Sequence, residues 1–521
     1  MTINNIYSRM RFLVAIVLVI VAAISCRKDL STLDSNKIPG VVIDTTGNSQ
    51  LSVFQFERLV LQPSVNLQGI PESEVSYEWK VNLLPGDTLY QVISEEKNLD
   101  YEVRFKPNTS GKYHHLVYTI TDKRNGLKYI MAWPLTVKNN IGEGLVIAES
   151  RDGINTDLSH IMSPRVTSGY NDESVKYNVY SSINGSLIPG IVKQLQFTKI
   201  FGVDALLGIT NNMVFRVNTL DYTYFGKDND LFYPDSEEYH PQALGEVYQN
   251  NLYIAENKLT ATYLGASREF GLPFDYSWKV PDFIAANPNS ANGYNSYQPA
   301  VVISFYDEVN QKFVYQQVLN PSFGDANMYA VAADPGAPFD PGAVLNKVNL
   351  AAGINVDRDF VHILKDKNNG NVNIYVLTGG VFNYPDLTPP QAKAVFDVSA
   401  APGIATATKF VILHDQKVIY YATANKIYAI MYSTPTPIIE ERFTVPAGET
   451  ITTLQVYQQI GYPLAESYIP TNNKQLIMST FGTEGKVYIL PMINPGLGNI
   501  DQPNIKTYGG FGKISAITPQ K

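Results

Sequence analysis

The chain has 521 residues, 48 acidic and 40 basic side chains, a formal net charge of −8 at pH 7, 34 tyrosines and one cysteine. An acidic chain without a clustered basic stretch disfavours nucleic acid as a partner, and a lone cysteine excludes a disulfide within the chain. The length exceeds what one ordinary core supports, so two or more domains are expected.

The first element is a targeting segment. Arg9 and Arg11 precede an apolar run from Phe12 to Ile24, which is short of the roughly 20 residues that cross a bilayer and suits a secretory signal. Ala23, Ile24, Ser25 and Cys26 resemble the bacterial lipobox, with alanine where leucine is commoner at the first of these positions. Residues 1–25 are therefore expected to be a removed signal peptide and Cys26 the lipidation site. A chance cysteine beside an ordinary cleavage site is the competing reading, and the position and uniqueness of Cys26 speak against it. Loss of residues 1–25 removes Arg9 and Arg11 and no acid, which moves the formal charge from −8 to −10. One acyl chain holds a protein only marginally, so the several chains of a lipoprotein would make the anchor stable. Residues 26–37 are polar, lack periodicity and read as the lipidated tether.

From residue 38 to residue 138, short alternating runs are divided by turn signals, the pattern of an antiparallel β-sandwich. SYEWKV, residues 76–81, resembles the tryptophan-bearing strand of PKD-like, immunoglobulin-like domains. GKYHHLVYTITDKRNG, residues 111–126, resembles that family's alternating strand and the Asp-x-x-x-Gly turn after it. The resemblance implies that Trp79 is core and that Asp122 organises the turn; a ligand platform at Trp79 is the less favoured alternative.

Residues 139–521 carry a diffuse repeat. An aromatic recurs behind a polar turn and within a strand-like run at Phe215, Tyr253, Tyr315, Tyr375, Tyr428 and Tyr488. Several copies read as second arms of hairpins, such as VVISFYDEVNQKFVYQQV and FVHILKDKNNGNVNIYVL, and GLVIAES at residues 144–150 could open a further copy. Units of this size match propeller blades better than solenoid repeats. The expected fold is all-β: a PKD-like sandwich followed by a β-propeller-like domain of six to eight blades, with seven favoured. Unrelated hairpins in one or two sandwiches are the alternative. Helical patterning is limited to short candidates near PDFIAA and PPQAKAVFDV.

Catalytic signatures are absent from the sequence: no phosphate-binding loop, dinucleotide fingerprint, nucleophile elbow or zincin helix is present. The six histidines do not pair at metal-ligand spacing, and an acylated Cys26 excludes thiol chemistry. No cofactor and no metal are expected. Glu95–Glu96, Glu237–Glu238 and Glu440–Glu441 are sequence neighbours and read as solvated surface, not as carboxylates facing each other across a glycosidic bond. Asp228, Asp230 and Asp235 lack the ligand spacing of an EF-hand and read as a plain loop.

Propellers bind ligands with the loops on their faces. Three aromatic stretches, residues 222–242, 270–299 and 322–342, are the candidates, because flat rings mixed with amides and carboxylates suit a sugar or an extended peptide. The first choices for ligand contact are Trp278, Tyr276 and Tyr294, followed by Tyr233 and Tyr239. The competing reading is that these rings fold back and pack the loops themselves.

The order of lipobox, PKD-like module and propeller-like region, with DPGAPFDPGAVLNKVNLAAG at residues 334–353 and GFGKI near the end, resembles the PKD-like family of Bacteroidetes lipoproteins. That resemblance implies an outer-membrane lipoprotein, facing the exterior, whose partners are a TonB-dependent importer and its substrate-capturing lipoprotein of the starch-utilisation type. The implied function is non-enzymatic capture of glycan or peptide. A propeller enzyme acting on glycans and a structural or adhesive envelope protein are the alternatives.

Overall fold

The computed structural model describes residues 40–44, 51–108, 112–200, 203–233, 239–247, 250–263, 269–274, 277–287, 301–318, 327–383, 386–459 and 469–521. It divides into two compact units, one ending at Lys138 and the other running from Asn139 to Lys521. Cys26, Tyr276, Tyr294 and Asp235 lie outside the described residues. No helix among the described residues is long and apolar enough to cross a membrane.

The first unit is a β-sandwich. Its five-stranded sheet runs in the spatial order Leu51–Phe54, Lys128–Lys138, His114–Asp122, Val75–Asn82 and Tyr90–Ser94, with only the first pair parallel. Arg58–Leu61 pairs with Leu99–Glu102 as a separate ribbon, and one core joins ribbon and sheet through Leu59, Leu99, Val103, Trp79 and Leu135. Trp79 is fully buried and stacks on Tyr118 at 4.1 Å and on Trp133 at 5.9 Å between ring centroids. Its indole N–H donates to the carbonyl of Glu96 at 3.0 Å, so the one polar atom of the ring is satisfied inside the core. Asp122 organises the turn after its strand: its carboxylate accepts from the backbone N–H and the guanidinium of Arg124 and from the Asn125 amide. Those donors hold its pKa at about 2, below the usual carboxylate range. Arg124 donates most of that effect.

The second unit is a seven-bladed β-propeller. Among the described residues it contains seven sheets of four or five main strands, each an antiparallel meander. The sixth blade, for example, is Lys409–Ile412, Val418–Ala422, Lys426–Met431 and Ile438–Thr444 in that order. The first blade is completed from the far end of the chain: Lys513–Gln520 pairs with Gly144–Ser150, which continues to Asp157–Met162 and Ser174–Lys176. This pairing closes the ring with main-chain hydrogen bonds, because one blade is built from both ends of the propeller segment.

Apolar clusters fill the spaces between successive blades, and adjacent residues of one strand serve opposite neighbours. Tyr420 packs toward the seventh blade and Tyr421 toward the fifth. Strands buried on both faces read as continuous apolar runs, which is why VIYYA at residues 418–422 is buried throughout. The recurring aromatics Phe215, Tyr315, Tyr375, Tyr428 and Tyr488 lie on third strands, and Tyr253 lies on a second strand. That slip of one strand explains the uneven spacing in the sequence.

Two local expectations are corrected. Neither helix candidate is helical: residues 281–284 form a connection and Ala285–Asn287 opens the fourth blade, while Ala392–Asp397 forms the outer strand of the fifth. AKAVFD alternates strictly between half-buried and exposed side chains, and pairing with Val372–Leu377 overrides its helix-favouring alanines. The one α-helix among the described residues is Val179–Asn184, stopped by Gly185 at φ +72°.

Candidate ligand channel of the propeller

The first strand of every blade lies nearest the axis, and neighbouring first strands touch around most of the ring. They begin at one common end, which also carries the blade-to-blade connections and the turns between second and third strands. The described parts of the three aromatic stretches supply blade-to-blade connections at this end: residues 228–233 and 239–240 lie between the second and third blades, 271–274 and 277–284 between the third and fourth, and 331–342 between the fourth and fifth.

Three cavities open at or below this end. One of them, of about 690 Å³ and hereafter the wide end of the channel, lies among strand starts: Lys409 of the sixth blade, Thr450 of the seventh and Lys513 of the first. Ser150, Thr452, Ser515 and the ring of Phe481 complete its polar and aromatic wall. A deeper cavity of about 370 Å³ continues along the axis past Lys193, Leu350, Phe410 and Gln455. A third, of about 310 Å³, sits between the third, fourth and fifth blades and includes Gln242, Asp282 and Glu308.

β-Bulges aim side chains into these spaces. In four blades the first strand carries one extra residue relative to its partner: Gln242, Leu350, Thr452 and Ser515. All four line a cavity. A bulge turns an additional side chain out of the regular alternation, which is how a fully paired sheet presents Thr452 and Ser515 to the channel. Thr452 and Thr453 both bond the hydroxyl of Ser479, at 2.7 and 2.6 Å, and fix the bulge.

The charges at the wide end are lysines. Lys409 has its pKa lowered, through removal from water alone, and its ammonium bonds the hydroxyl of Thr408 at 3.3 Å. Lys193 reaches the carbonyl of Pro241 at 3.4 Å. Carboxylates in the third cavity are engaged: Asp282 accepts from the Gln242 amide at 2.9 Å, and Glu308 accepts from the Asn349 N–H at 2.9 Å and pairs with Lys367. No cluster of three or more potential metal ligands occurs among the described residues.

The aromatic candidates distribute differently. Trp278 is partly buried against the core between the third and fourth blades, and its indole N–H donates to the carbonyl of Met328 at 3.0 Å. Tyr239 packs on Phe232 at 5.0 Å and bonds Asn229. Tyr233 is 68% exposed, with its backbone held to Phe270. Asp228 and Asp230 cap local backbone N–H groups of Val214 and Lys227. Trp278, Tyr233 and Tyr239 are not among the residues that line these three cavities. The lysines and bulged residues escaped the sequence reading because nothing in sequence links positions 409, 450 and 513; the start of each strand-like run was their only signal.

The PKD-like family model matches residues 34–191, a span that takes in the sandwich and runs into the first blade. No curated protein matches the sequence. Among solved structures, the chain is similar to a quinonprotein alcohol dehydrogenase-like protein from Bacteroides thetaiotaomicron VPI-5482, at 15% identity over 93% of this chain and 99% of that chain, with a TM-score of 0.48. It is also similar to apo AztD from Citrobacter koseri, at 8% identity over 85% and 98%, with a TM-score of 0.36. The β-propeller domain of Myceliophteria thermophila Cps50 (Swd1) aligns at 12% identity over 62% and 88%, with a TM-score of 0.34. The seven-sheet topology, not these distant likenesses, carries the description of the fold.

Proposed function

We propose that the protein is a lipid-anchored outer-membrane binding protein, non-enzymatic and facing the exterior, that holds glycan or peptide for a TonB-dependent importer and its substrate-capturing lipoprotein. The observation that carries the binding reading is the wide end of the propeller channel, a cavity of about 690 Å³ walled by hydroxyls, a phenylalanine ring, three isoleucines and two lysines. Its size lies within the range of small-ligand pockets, about 300–1,000 Å³. The anchor and the location rest on the sequence, through the signal-like run and Cys26.

Purification of the tagged protein from its native outer membrane in mild detergent tests the partnership. Stoichiometric recovery of a TonB-dependent importer is the expected result, and recovery of the protein alone would overturn it. Cys26→Ala is expected to release the protein from membranes; persistent detergent-dependent membrane association would refute the anchor.

A propeller enzyme acting on glycans is the second reading, favoured by Asp282 and Glu308 sharing one cavity. It requires that Asp282→Asn and Glu308→Gln each abolish a measurable glycan cleavage.

A further inference from the structure

We infer that the wide end of the propeller channel is an anion site for an acidic oligosaccharide, with Lys409 and Lys513 receiving its carboxylates. This rests on the binding reading above and names the ligand class of that same channel.

The first strands of the sixth, seventh and first blades are neighbours in the ring. Each contributes its first residue to the cavity, so Lys409 and Lys513 stand on the two strands that flank Thr450. In a chain with eight more acidic than basic side chains (48 against 40), a cavity whose charged groups are both cations departs from the general balance. Several lysines elsewhere in the propeller are paired with carboxylates, as Lys347 is with Asp366, Lys426 with Glu441, Lys486 with Glu449 and Lys506 with Glu173. The Lys513 side chain has no hydrogen-bond or ion-pair partner among the described residues, and Lys409 has only the neutral hydroxyl of Thr408.

Partly burying an ammonium group without a counter-ion is unfavourable. The lowered pKa of Lys409 reflects that cost, and an arriving carboxylate would reverse it. Carboxylates on the flanking turns are already committed. Asp152 accepts from the N–H groups of Ile154 and Asn155, at 2.8 and 2.7 Å. Glu449 accepts from Lys486, Thr480 and Tyr488, each at 2.7 Å. Arg151, a further cation on the turn beyond Ser150, is held by Glu149 and by the Gly510 carbonyl. The two lysines are therefore the groups left to meet an anion.

The rest of the wall selects the kind of anion. Ser150, Thr450, Thr452 and Ser515 bring hydroxyls, of which Ser150 and Thr452 already bond Asp152 and Ser479, while Phe481 offers a ring and Ile191, Ile451 and Ile514 an apolar surface. That set matches the hydroxyls and flat face of a sugar. Lys193 and Lys409 line the deeper cavity, so the positive wall continues along the axis for a ligand of more than one sugar unit.

Titration calorimetry on the full-length protein would use three probes: a galacturonic acid trisaccharide, its methyl ester and a triglutamate peptide. The acid trisaccharide is expected to bind at least about tenfold more tightly than the ester, and Lys409→Met and Lys513→Met are each expected to weaken it about tenfold. Lys409→Arg should retain affinity. Lys513 is exposed, so its variant keeps the fold even where Lys409→Met does not, and thermal melting checks both. Equal affinity for acid and ester, or variants without effect, would overturn the anion site while leaving a binding protein. Tighter binding of triglutamate would overturn the sugar class. Binding of none of the three would overturn this inference, whereas the wider binding reading fails separately, by recovery of the protein without an importer.

Discussion

The sandwich and the propeller are both built of antiparallel sheets, yet they bury their strands differently. Along Lys128–Lys138 of the sandwich, exposed positions alternate with more buried ones. Along Val418–Ala422 and Gly144–Ser150 of the propeller, every residue is buried. A sandwich strand has one face in the core and one toward solvent, whereas a blade strand is covered by a blade on each side. Stability in the sandwich is thus concentrated in a single core, while in the propeller it is divided among successive blade interfaces and the closing strand.

The sharpest way to break this comparison is to empty the sandwich core. Trp79→Ala removes a fully buried ring that stacks on Tyr118 and Trp133, and is expected to cost about 3–5 kcal/mol. Calorimetry should show the sandwich transition falling while the propeller transition holds. A joint fall of both would mean that the two cores do not act separately.

Acid should act on the propeller instead. His160 and His362 are fully buried, and burial lowers their pKa values to about 4 and about 3. His160 is held as a neutral ring, donating from Nε2 to the Glu143 carbonyl and accepting from the Tyr222 hydroxyl at Nδ1. Both histidines would take up protons more readily unfolded, where the pKa is about 6.5. Their contribution is therefore complete above that value and is lost as pH falls toward their folded values. At pH 5.5 the loss is about 3 kcal/mol for the pair. Denaturant titration of the propeller transition at pH 7.5 and 5.5 measures it, and a pH-independent transition would contradict the burial.

How far the sequence disclosed this contrast follows from the same physics. The sandwich was legible because alternation, the SYEWKV strand and the Asp122 turn are local signals, and Trp79 and Asp122 occupy the positions expected of them. The propeller was legible only as a repeat, and an imprecise one, since doubly buried strands lose their period and Tyr253 stands one strand early. Ala392–Asp397 looked helical because alanine and lysine favour helices until an edge strand is needed. The channel was not legible at all. Lys409 and Thr450 come together through packing of the sixth and seventh blades and Lys513 joins them through ring closure, and the bulges at Thr452 and Ser515 leave no mark in a single sequence.

Closure itself can be probed at GFGKI. Gly512 lies where the last strand begins, and its N–H donates to the buried carboxylate of Glu149. A Cβ there would sit 2.4 Å from the Ser150 carbonyl oxygen, which is backbone of the pairing strand and cannot rotate away. Gly512→Ala is expected to destabilise the propeller by about 1–3 kcal/mol and to leave the sandwich transition in place. Wild-type stability in this variant would show that the last strand adds little to closure.

The smallest effects separate the aromatic loops from the cores. Trp278→Phe keeps much of the ring packing against the third and fourth blades and deletes the donor to the Met328 carbonyl, so about 1 kcal/mol of propeller stability should go. Tyr233→Ala removes a ring that is 68% exposed and should change stability by less than about 0.5 kcal/mol. If the loops carry ligand, the order reverses in a binding assay, with Tyr233→Ala the more damaging, because an exposed ring is free to stack and a packed one is not. Equal loss of binding in both variants would return Trp278 to the ligand surface, and no loss in either would leave the channel lysines as the contacts that matter.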